Sequence, residues 1–598
     1  MNAVAAMLGA ADATVARSAV GSMLDRMPAR GAGLRVIAED PLGAAGASGR
    51  SPASGARADG TRLVGDLRLD NAAEVRRALG LDSGTPDAAT ALEAYARWGV
   101  EFASRLAGDF AFVILDPRNA RVVAVRDALG IRPLYYRRGS SGLRIASELG
   151  ALIEPDDAAD EGFLAEAIAG DVVDFEGTPY QAITRVPAAH ALVLTASSLR
   201  LVRYWEPSTD VLSGSPSDHA DRFRAAFDEA VGAACAGEVR VGVHLSGGLD
   251  SSSVLGSVMA NAFATPVAAS MLLPWPDADE RYWIDAASAR WSLTPLLITP
   301  PVAPAAHGLA DIAVHHDLPD MPAGGPLLAP LHRALRDAGA QRVLTGFGGD
   351  QWWSGESSHM ADLLGRFDLG ALWTWRRAGA AMGDAAWSWR GFVSSGLLPH
   401  VPARAKQLVR RVAPAPLPSW LAPEFAARVG LRDRLRRRPD TRHAPSESWR
   451  QLRWRLSSGE EALTKERIDR MAVAHGVDLR HPLYDRRLVD LAFGTPDSAR
   501  LAHGRNRVVM RDAMGDRLSA ATRARHTKAE LSQVLVSAAR ASDLEPHLAL
   551  PNLTARGWIS RAAASVIVES VSRRGEADAA STFWSLVGAE AWLAGAYR

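Results

Sequence analysis

One cysteine in 598 residues cannot form an intramolecular disulfide, so Cys235 is expected to be a free thiol in a reducing compartment. Lysine is almost as scarce: Lys406, Lys465 and Lys528 stand against a large excess of arginine. Charge of one sign is missing too, with 68 basic against 67 acidic residues and a net charge of +1. That balance gives neither nucleic acid nor an anionic membrane a global attraction, and neither is expected as a partner. No run reaches the roughly 18 apolar residues needed to span a bilayer. The Ala-rich start, MNAVAAMLGAADATVARSAVG, has no basic leading segment and is broken by Asp12 and Arg17. It does not read as a signal peptide, and the cytoplasm is the expected compartment. The string GK[ST] is absent, which excludes a Walker loop. No repeat of about 20–50 residues is found, which excludes a solenoid or propeller.

What is present is an ordinary globular composition, 47% hydrophobic and 23% charged, in a chain too long for one core. Residues 34–64 are rich in Gly, Ala, Ser and Arg and read as loop with uncertain strands. From there to Trp205, short alternating runs such as RLVGDLRLD, DFAFVILD, RVVAVRD, HALVLT and LRLVRYW read as strands of a β-rich layer. Helical stretches near Ala72–Leu79 and Ala88–Trp98 interrupt them. The polar stretch STDVLSGSPSD reads as a linker. The second half alternates: strand-like VRVGVHL, helix-like SSSVLGSVMANA, strand-like PVAASMLL, then LLIT, a helix over Leu327–Ala338, and RVLTG. That alternation predicts a parallel sheet with helices on both faces. Beyond Trp373 the pattern is mostly helical, with a variable Arg/Pro-rich segment over 401–447. Two domains are expected, 1–205 and 206–598.

Two glycine-rich segments each follow a predicted strand. Ser246-Gly247-Gly248-Leu249-Asp250-Ser251 sits where a strand feeds a helix, which is a natural seat for phosphate. Its glycines admit the backbone close to an anion and its serines add donors. Asp250 repels phosphate unless it holds a Mg²⁺ that bridges the phosphate oxygens. The bland alternative is a Gly-Ser turn capping a helix. The first segment resembles the S-G-G-x-D-S loop of the N-type ATP pyrophosphatases, which cleave ATP between the α and β phosphates and transfer AMP. The second segment, Leu344-Thr345-Gly346-Phe347-Gly348-Gly349-Asp350, would bring Asp350 to the same site as Asp250, an arrangement suited to magnesium.

Ordered elements along nearly the whole chain are similar to those of the asparagine synthetase superfamily. RLVGDLRLDN, GDFAFVILD, RDALGIRPLYY, SELGAL and RYW resemble its amidotransferase half; IDRMAVAHGVDLRHPLYD, GRNRVVMRDAM and RHTKAEL resemble its synthetase half. The resemblance implies an N-terminal β-rich Ntn-hydrolase-like sandwich. It implies a C-terminal doubly wound parallel sheet of the ATP pyrophosphatase type with a large helical extension. It further implies ATP and Mg²⁺ as cofactors, Asp250 and Asp350 as magnesium ligands, and Lys528 as the lysine that contacts pyrophosphate. By the same resemblance, Leu245, Ser246, Gly247, Gly248, Asp250, Ser251, Met271, Thr345, Gly346 and Lys528 bind ATP or pyrophosphate, with Lys528, Asp250 and Asp350 catalytic. A surface charge in this composition is usually Arg, so Lys528 stands out beside the alternative of a solvated helix-start lysine.

The chain departs from the family pattern twice. Glutamine-dependent members carry a cysteine directly after the initiator Met, whereas this chain has Asn2 and no cysteine before Cys235. Without that nucleophile the first domain is expected to be a scaffold. In the second loop the family's asparagine-forming members carry an acidic residue where this chain has Phe347, which cannot accept a proton. What is left is an AMP-forming amide ligase that takes an amine other than ammonia from glutamine. Two branches do this: β-lactam-forming synthetases, and lasso-peptide macrocyclases, which join the N-terminal amine of a precursor peptide to an Asp or Glu side chain. The second is the leading expectation, with a leader peptidase and a leader-binding protein as partners. A catalytically dead binding homologue is the remaining alternative. Trp352, Trp353, Trp373, Trp375, Trp387 and Trp389 supply either a peptide surface or the core of the helical layer. The Arg-rich stretch 404–438 either contacts an acidic peptide or partner or is a solvated loop. His315 and His316 lack a convincing ligand set and read as structural.

Overall fold

A computed structural model describes all residues except 10–11, 141, 301–314, 319–324, 356–357, 375–390, 403–404, 406–416, 503–504, 542–543 and 597–598. Trp375, Trp387, Trp389, Lys406 and residues 404 and 406–416 of the Arg-rich stretch therefore lie outside the described residues, while the rest of that stretch holds the short helices Pro423–Arg428 and Leu431–Arg434.

Among the described residues, twelve strands up to Arg203 form two antiparallel sheets. The first joins β1 (Asn2–Leu8), β2 (Leu34–Asp40), β3 (Gly43–Gly49), β8 (Tyr135–Gly139), β9 (Gly142–Ala146) and β10 (Ile183–Arg185). Their order is β10-β8-β9-β1-β3-β2. The second joins β4 (Ala53–Ala56), β5 (Arg62–Leu69), β6 (Gly108–Asp116), β7 (Arg121–Arg126), β11 (His190–Thr195) and β12 (Leu199–Arg203). Their order is β12-β11-β7-β6-β5-β4. Strand β1 shows why the sheets stack. Its alternate residues Val4, Ala6 and Leu8 join Val64, Val113 and Leu115 of the other sheet, while Ala3, Ala5 and Met7 pack toward helices.

The segment 34–64, expected as loop with uncertain strands, is mostly strand. It holds β2, β3, β4 and the start of β5. Strand β3, GAAGASG, is buried at every position although it has no large side chain. A Cβ added at Gly46 would lie 2.8 Å from Val20 of the overlying helix Ala13–Asp25, so small residues are what this tight layer requires. The helices Ala72–Leu79 and Asp87–Trp98 fall where periodicity placed them.

The third sheet is wholly parallel, in the order β15-β14-β13-β16-β17. Its strands are β13 (Arg240–His244), β14 (Thr265–Met271), β15 (Leu296–Ile298), β16 (Arg342–Leu344) and β17 (Asp478–Arg480). Helices Pro216–Cys235 and Leu249–Ala260 cover one face, with Phe223, Phe227, Val254 and Leu255 packed in the same core as Val241 and Val243. Helices Gly325–Asp337 and Gly459–Ala474 cover the other, where Leu331, Leu335 and Ala472 meet Val343 and Leu479. The strand order reverses between β13 and β16, and such a reversal opens a crevice at the carboxyl ends of the strands. Both glycine segments lie there.

Trp352 and Trp353 are fully buried, which removes them from any peptide surface. Trp353 packs edge-on to Phe223 at 4.6 Å and Trp352 to Tyr484 at 5.4 Å. Trp373 alone of the described cluster is exposed, at 63%. His315 is buried with Nδ1 3.7 Å from Glu148, as a structural histidine would be. Among the described residues no helix is long and apolar enough to cross a membrane.

Candidate active site

Strand β13 ends at His244, and the chain turns through Gly247 in a left-handed conformation (φ 66°) into the helix Leu249–Ala260. A side chain at Gly247 would collide with the Trp283 backbone, so this turn requires glycine for space as well as for φ. Ser246 and Ser251 close the turn through their hydroxyls at 3.0 Å, and Gly248 N donates to Ser246 Oγ at 3.3 Å. The loop after β16 runs alongside. Thr345 Oγ1 meets His481 Nδ1 at 2.7 Å and accepts from Phe347 N at 3.2 Å. A Cβ at Gly346 would lie 2.7 Å from Ser251 N, and one at Gly349 would fall inside the Asp250 carboxylate. These two glycines are what let the loops touch.

That contact brings Asp250 and Asp350 together at the helix N-termini. Arg507 joins them: its Nη1 lies 2.8 and 2.7 Å from the two Asp250 oxygens and 3.1 Å from Asp350. Lys528 forms an ion pair with the other Asp350 oxygen. Partial burial lowers the Lys528 pKa, with Asp250 and Glu280 pulling the other way. Arg525 pairs with Glu280 at 2.7 Å and lies 4.0 Å over the Trp283 ring. Arg511 donates to the backbone oxygens of Arg523 and Arg525, fixing the segment that carries Lys528.

The cluster lines a cavity of about 420 Å³, within the range that holds a nucleotide-sized ligand. One wall is polar and mostly cationic: Ser246, Ser251, Arg507, Arg511, Arg525 and Lys528. The other is apolar: Ala269, Met271, Leu328, Leu331, Ile468 and Leu479. His244 and His481 border it. Burial pushes their pKa values down to about 3 and about 4, so both are neutral near pH 7. The oxygen donors of Asp250 and Asp350 converge on a point now held by cationic side chains, which fits a hard divalent cation such as Mg²⁺.

The N-terminal half shows the opposite arrangement. Asn2 is buried and fully engaged. Its backbone N and Nδ2 donate to the Asp66 carboxylate at 3.1 and 2.7 Å, Nδ2 also donates to Ser51 O at 3.0 Å, and Oδ1 accepts from Ser51 N at 3.1 Å. Arg132 links Asp66 to Asp469 and Asp478 of the C-terminal half, at 3.5, 2.8 and 3.2 Å. Nearby, Glu466 accepts from Arg126 at 2.9 Å and from Arg185 at 2.8 Å.

Residues 222–594 match the asparagine synthase model, and residues 67–205 match a glutamine amidotransferase domain. The chain belongs to the asparagine synthase family. It is similar to asparagine synthetase [glutamine-hydrolyzing] 3 of Bacillus subtilis (strain 168), 32% identical over 174 residues, 28% of each chain. It is also similar to amidase chyE of Penicillium rubens, 28% identical over 315 residues, 48% of this chain and 45% of that one. The matched stretches thus span less than half the length of these relatives. A solved glutamine phosphoribosylpyrophosphate amidotransferase from B. subtilis aligns over 58% of this chain and 81% of its own, at 14% identity and a TM-score of 0.26, too loose a likeness to argue from. Family membership supports an ATP-dependent amidation synthetase.

Of the residues assigned by resemblance, Leu245, Ser246, Gly248, Asp250, Ser251, Met271, Thr345, Gly346, Asp350 and Lys528 line the one cavity; Gly247 lies behind it against Trp283. Arg507, Arg511, Arg525, Glu280, His244 and His481 went unnoticed in the sequence. Arg507 stands in the quoted GRNRVVMRDAM, yet nothing separates it from the many other arginines until the fold closes. A second group with ligand-like spacing, His359, Asp362 and Asp497, lies elsewhere. Asp362 already caps the helix Glu447–Leu456, accepting from Glu447 N and Ser448 N at 2.7 and 3.1 Å, and Asp497 pairs with Arg500 at 2.8 Å. It reads as structural.

Proposed function

We propose that this protein converts a carboxylate to an acyl-adenylate, releasing pyrophosphate from ATP, and joins it to an amine without hydrolysing glutamine. The observation that carries the reading is the contrast between Asn2, hydrogen-bonded at the position of the family's nucleophile, and Asp250, Asp350 and Lys528, which converge on an open cavity. Bound magnesium would neutralise phosphate charge and be held by Asp250 and Asp350. The serine hydroxyls and the helix N-terminus of Leu249–Ala260 seat phosphate oxygens. Lys528 follows the charge that builds on the departing pyrophosphate. The apolar wall shields the reacting carbonyl from water.

The substrate class that suits this chemistry best is a precursor peptide, and the reaction an isopeptide ring closure between its N-terminal amine and an Asp or Glu side chain, as in lasso-peptide macrocyclases. A leader peptidase and a leader-binding protein are the partners such a substrate requires. A β-lactam-type cyclase fits less well, because Phe347 stacks on Tyr484 at 4.9 Å with no hydroxyl to offer. A dead homologue has no need of the carboxylate–lysine cluster.

The test is a purified reaction with ATP, Mg²⁺ and a core peptide carrying a free N-terminal amine and an acidic residue several positions along. Mass spectrometry is expected to show loss of one water, with AMP and pyrophosphate as the other products. ADP and orthophosphate, or glutamate released from added glutamine, would overturn the reading.

A further inference from the structure

We propose that Arg507 is an exchangeable counter-ion. In the free protein it holds the Asp250–Asp350 pair together, and when magnesium nucleotide enters it leaves the carboxylates and binds phosphate oxygens. This role rests on the ATP reading above.

Three observations carry it. First, one guanidinium nitrogen, Nη1, lies within hydrogen-bond reach of both oxygens of Asp250 and one of Asp350. Those are the oxygens a divalent cation would need. Two carboxylates this close repel each other unless a cation stands between them, and a monovalent guanidinium and a magnesium ion cannot share the same lone pairs. Metal entry therefore displaces Arg507. Second, the displaced group stays in place to act. Arg507 lies at the N-terminus of the helix Val508–Ala513 with φ 57°, and the preceding Asn506 pins the backbone by accepting from Gly355 N and Arg507 N at 2.7 and 2.8 Å. Its side chain is only 12% exposed and already lines the nucleotide cavity beside Arg511, Arg525 and Lys528. Third, its Nε is buried with no hydrogen-bond partner. The planar fork of arginine matches phosphate geometry, so that spare donor has a use once phosphate is present.

The exchange makes a prediction that a merely structural arginine does not. Removing Arg507 helps one ligand and harms the other. Calorimetric titrations of the full chain with Mn²⁺ alone, and separately with inorganic tripolyphosphate alone, read the two halves. In R507M, Mn²⁺ is expected to bind roughly tenfold or more tighter than in wild type, because Asp250 has lost its guanidinium and only Lys528 remains on Asp350, and tripolyphosphate roughly tenfold or more weaker, because a phosphate ligand is gone. R507K keeps a point charge and is expected to fall between wild type and R507M in both titrations, which guards against a folding defect in R507M. If both affinities fall together, or either stays at the wild-type value in both variants, the exchange role is overturned. A wild-type chain that does not bind magnesium ATP at all would overturn the nucleotide reading beneath it, a different failure from the first.

Discussion

The two halves of the molecule each hold carboxylates at the head of a sheet, buried in one and half-buried in the other, and they treat them in opposite ways. At the N-terminal head, Asp66 is satisfied by Asn2, which lies in the adjoining strand system and cannot leave. At the C-terminal head, Asp250 and Asp350 are satisfied by Arg507 and Lys528, two long side chains that can swing away. One arrangement closes a site and the other keeps it available. The lesson is about who supplies the partner. Carboxylates whose partners are buried with them become architecture, whereas carboxylates whose cationic partners line a cavity stay open to a ligand.

The sharpest way to break this comparison is Asp250→Asn or Asp350→Asn. Either removes charge that neutralises phosphate, and formation of AMP and pyrophosphate is expected to fall by about 10³-fold, read by nucleotide product analysis. Full activity in both variants would mean the C-terminal cluster is as architectural as the N-terminal one. Lys528→Ala comes next. Product formation is expected to drop by about 10²–10³-fold while ATP affinity changes little, since the contact strengthens only as the leaving group charges. Lys528→Arg is expected to restore part of the rate.

Glu466→Gln probes the architectural side. Burial alone would raise the Glu466 pKa, but Arg185 and Arg126 outweigh it and hold the group near 2. A carboxyl depressed in the folded state stabilises the fold at pH values above its unfolded value near 4.5, and loses that contribution as pH falls from there toward 2. The linked stabilisation is about 3 kcal/mol, and Glu466→Gln is expected to abolish this acid-sensitive window and to cost about 3–5 kcal/mol at neutral pH by leaving two arginines unpaired. Denaturant unfolding at pH 7 and pH 3 measures both. The smallest effect is expected from Asn2→Cys. Asp66 beside the new thiol disfavours the thiolate, so no glutamate is expected from glutamine, and the lost amide hydrogen bonds cost about 1–3 kcal/mol. Glutamine hydrolysis by this variant would show that the closed site needs only its nucleophile to reopen.

The parallel sheet was legible because β13, β14 and β16 are apolar runs separated by helical stretches, two of them followed by glycine-rich turns. The same pattern put the two loops at one end of the sheet. Strand β17 was not legible: Asp478-Leu479-Arg480 is only three residues long with a charge at each end, and Arg132 and Asp109 neutralise those charges. Strand β3 was hidden by smallness, since hydrophobic alternation cannot register where the packing demands Gly and Ala. Lys528 was visible because lysine is rare here. Arg507 was invisible because arginine is common, and only the fold reveals which arginine reaches Asp250.

The ion pairs that tie Glu466 to Arg126 and Arg185 span 340 and 281 residues of chain. During synthesis at about 5–20 residues per second, Arg126 and Arg185 leave the ribosome roughly 15–70 s before their carboxylate does. For that interval two cations of the nascent sandwich lack the counter-charge that they meet in the folded chain. A chain cut anywhere in the 206–221 stretch that joins the two family-matched regions would stay in that state permanently. The halves of this protein are therefore expected to be insoluble when expressed apart and to recover only when co-expressed.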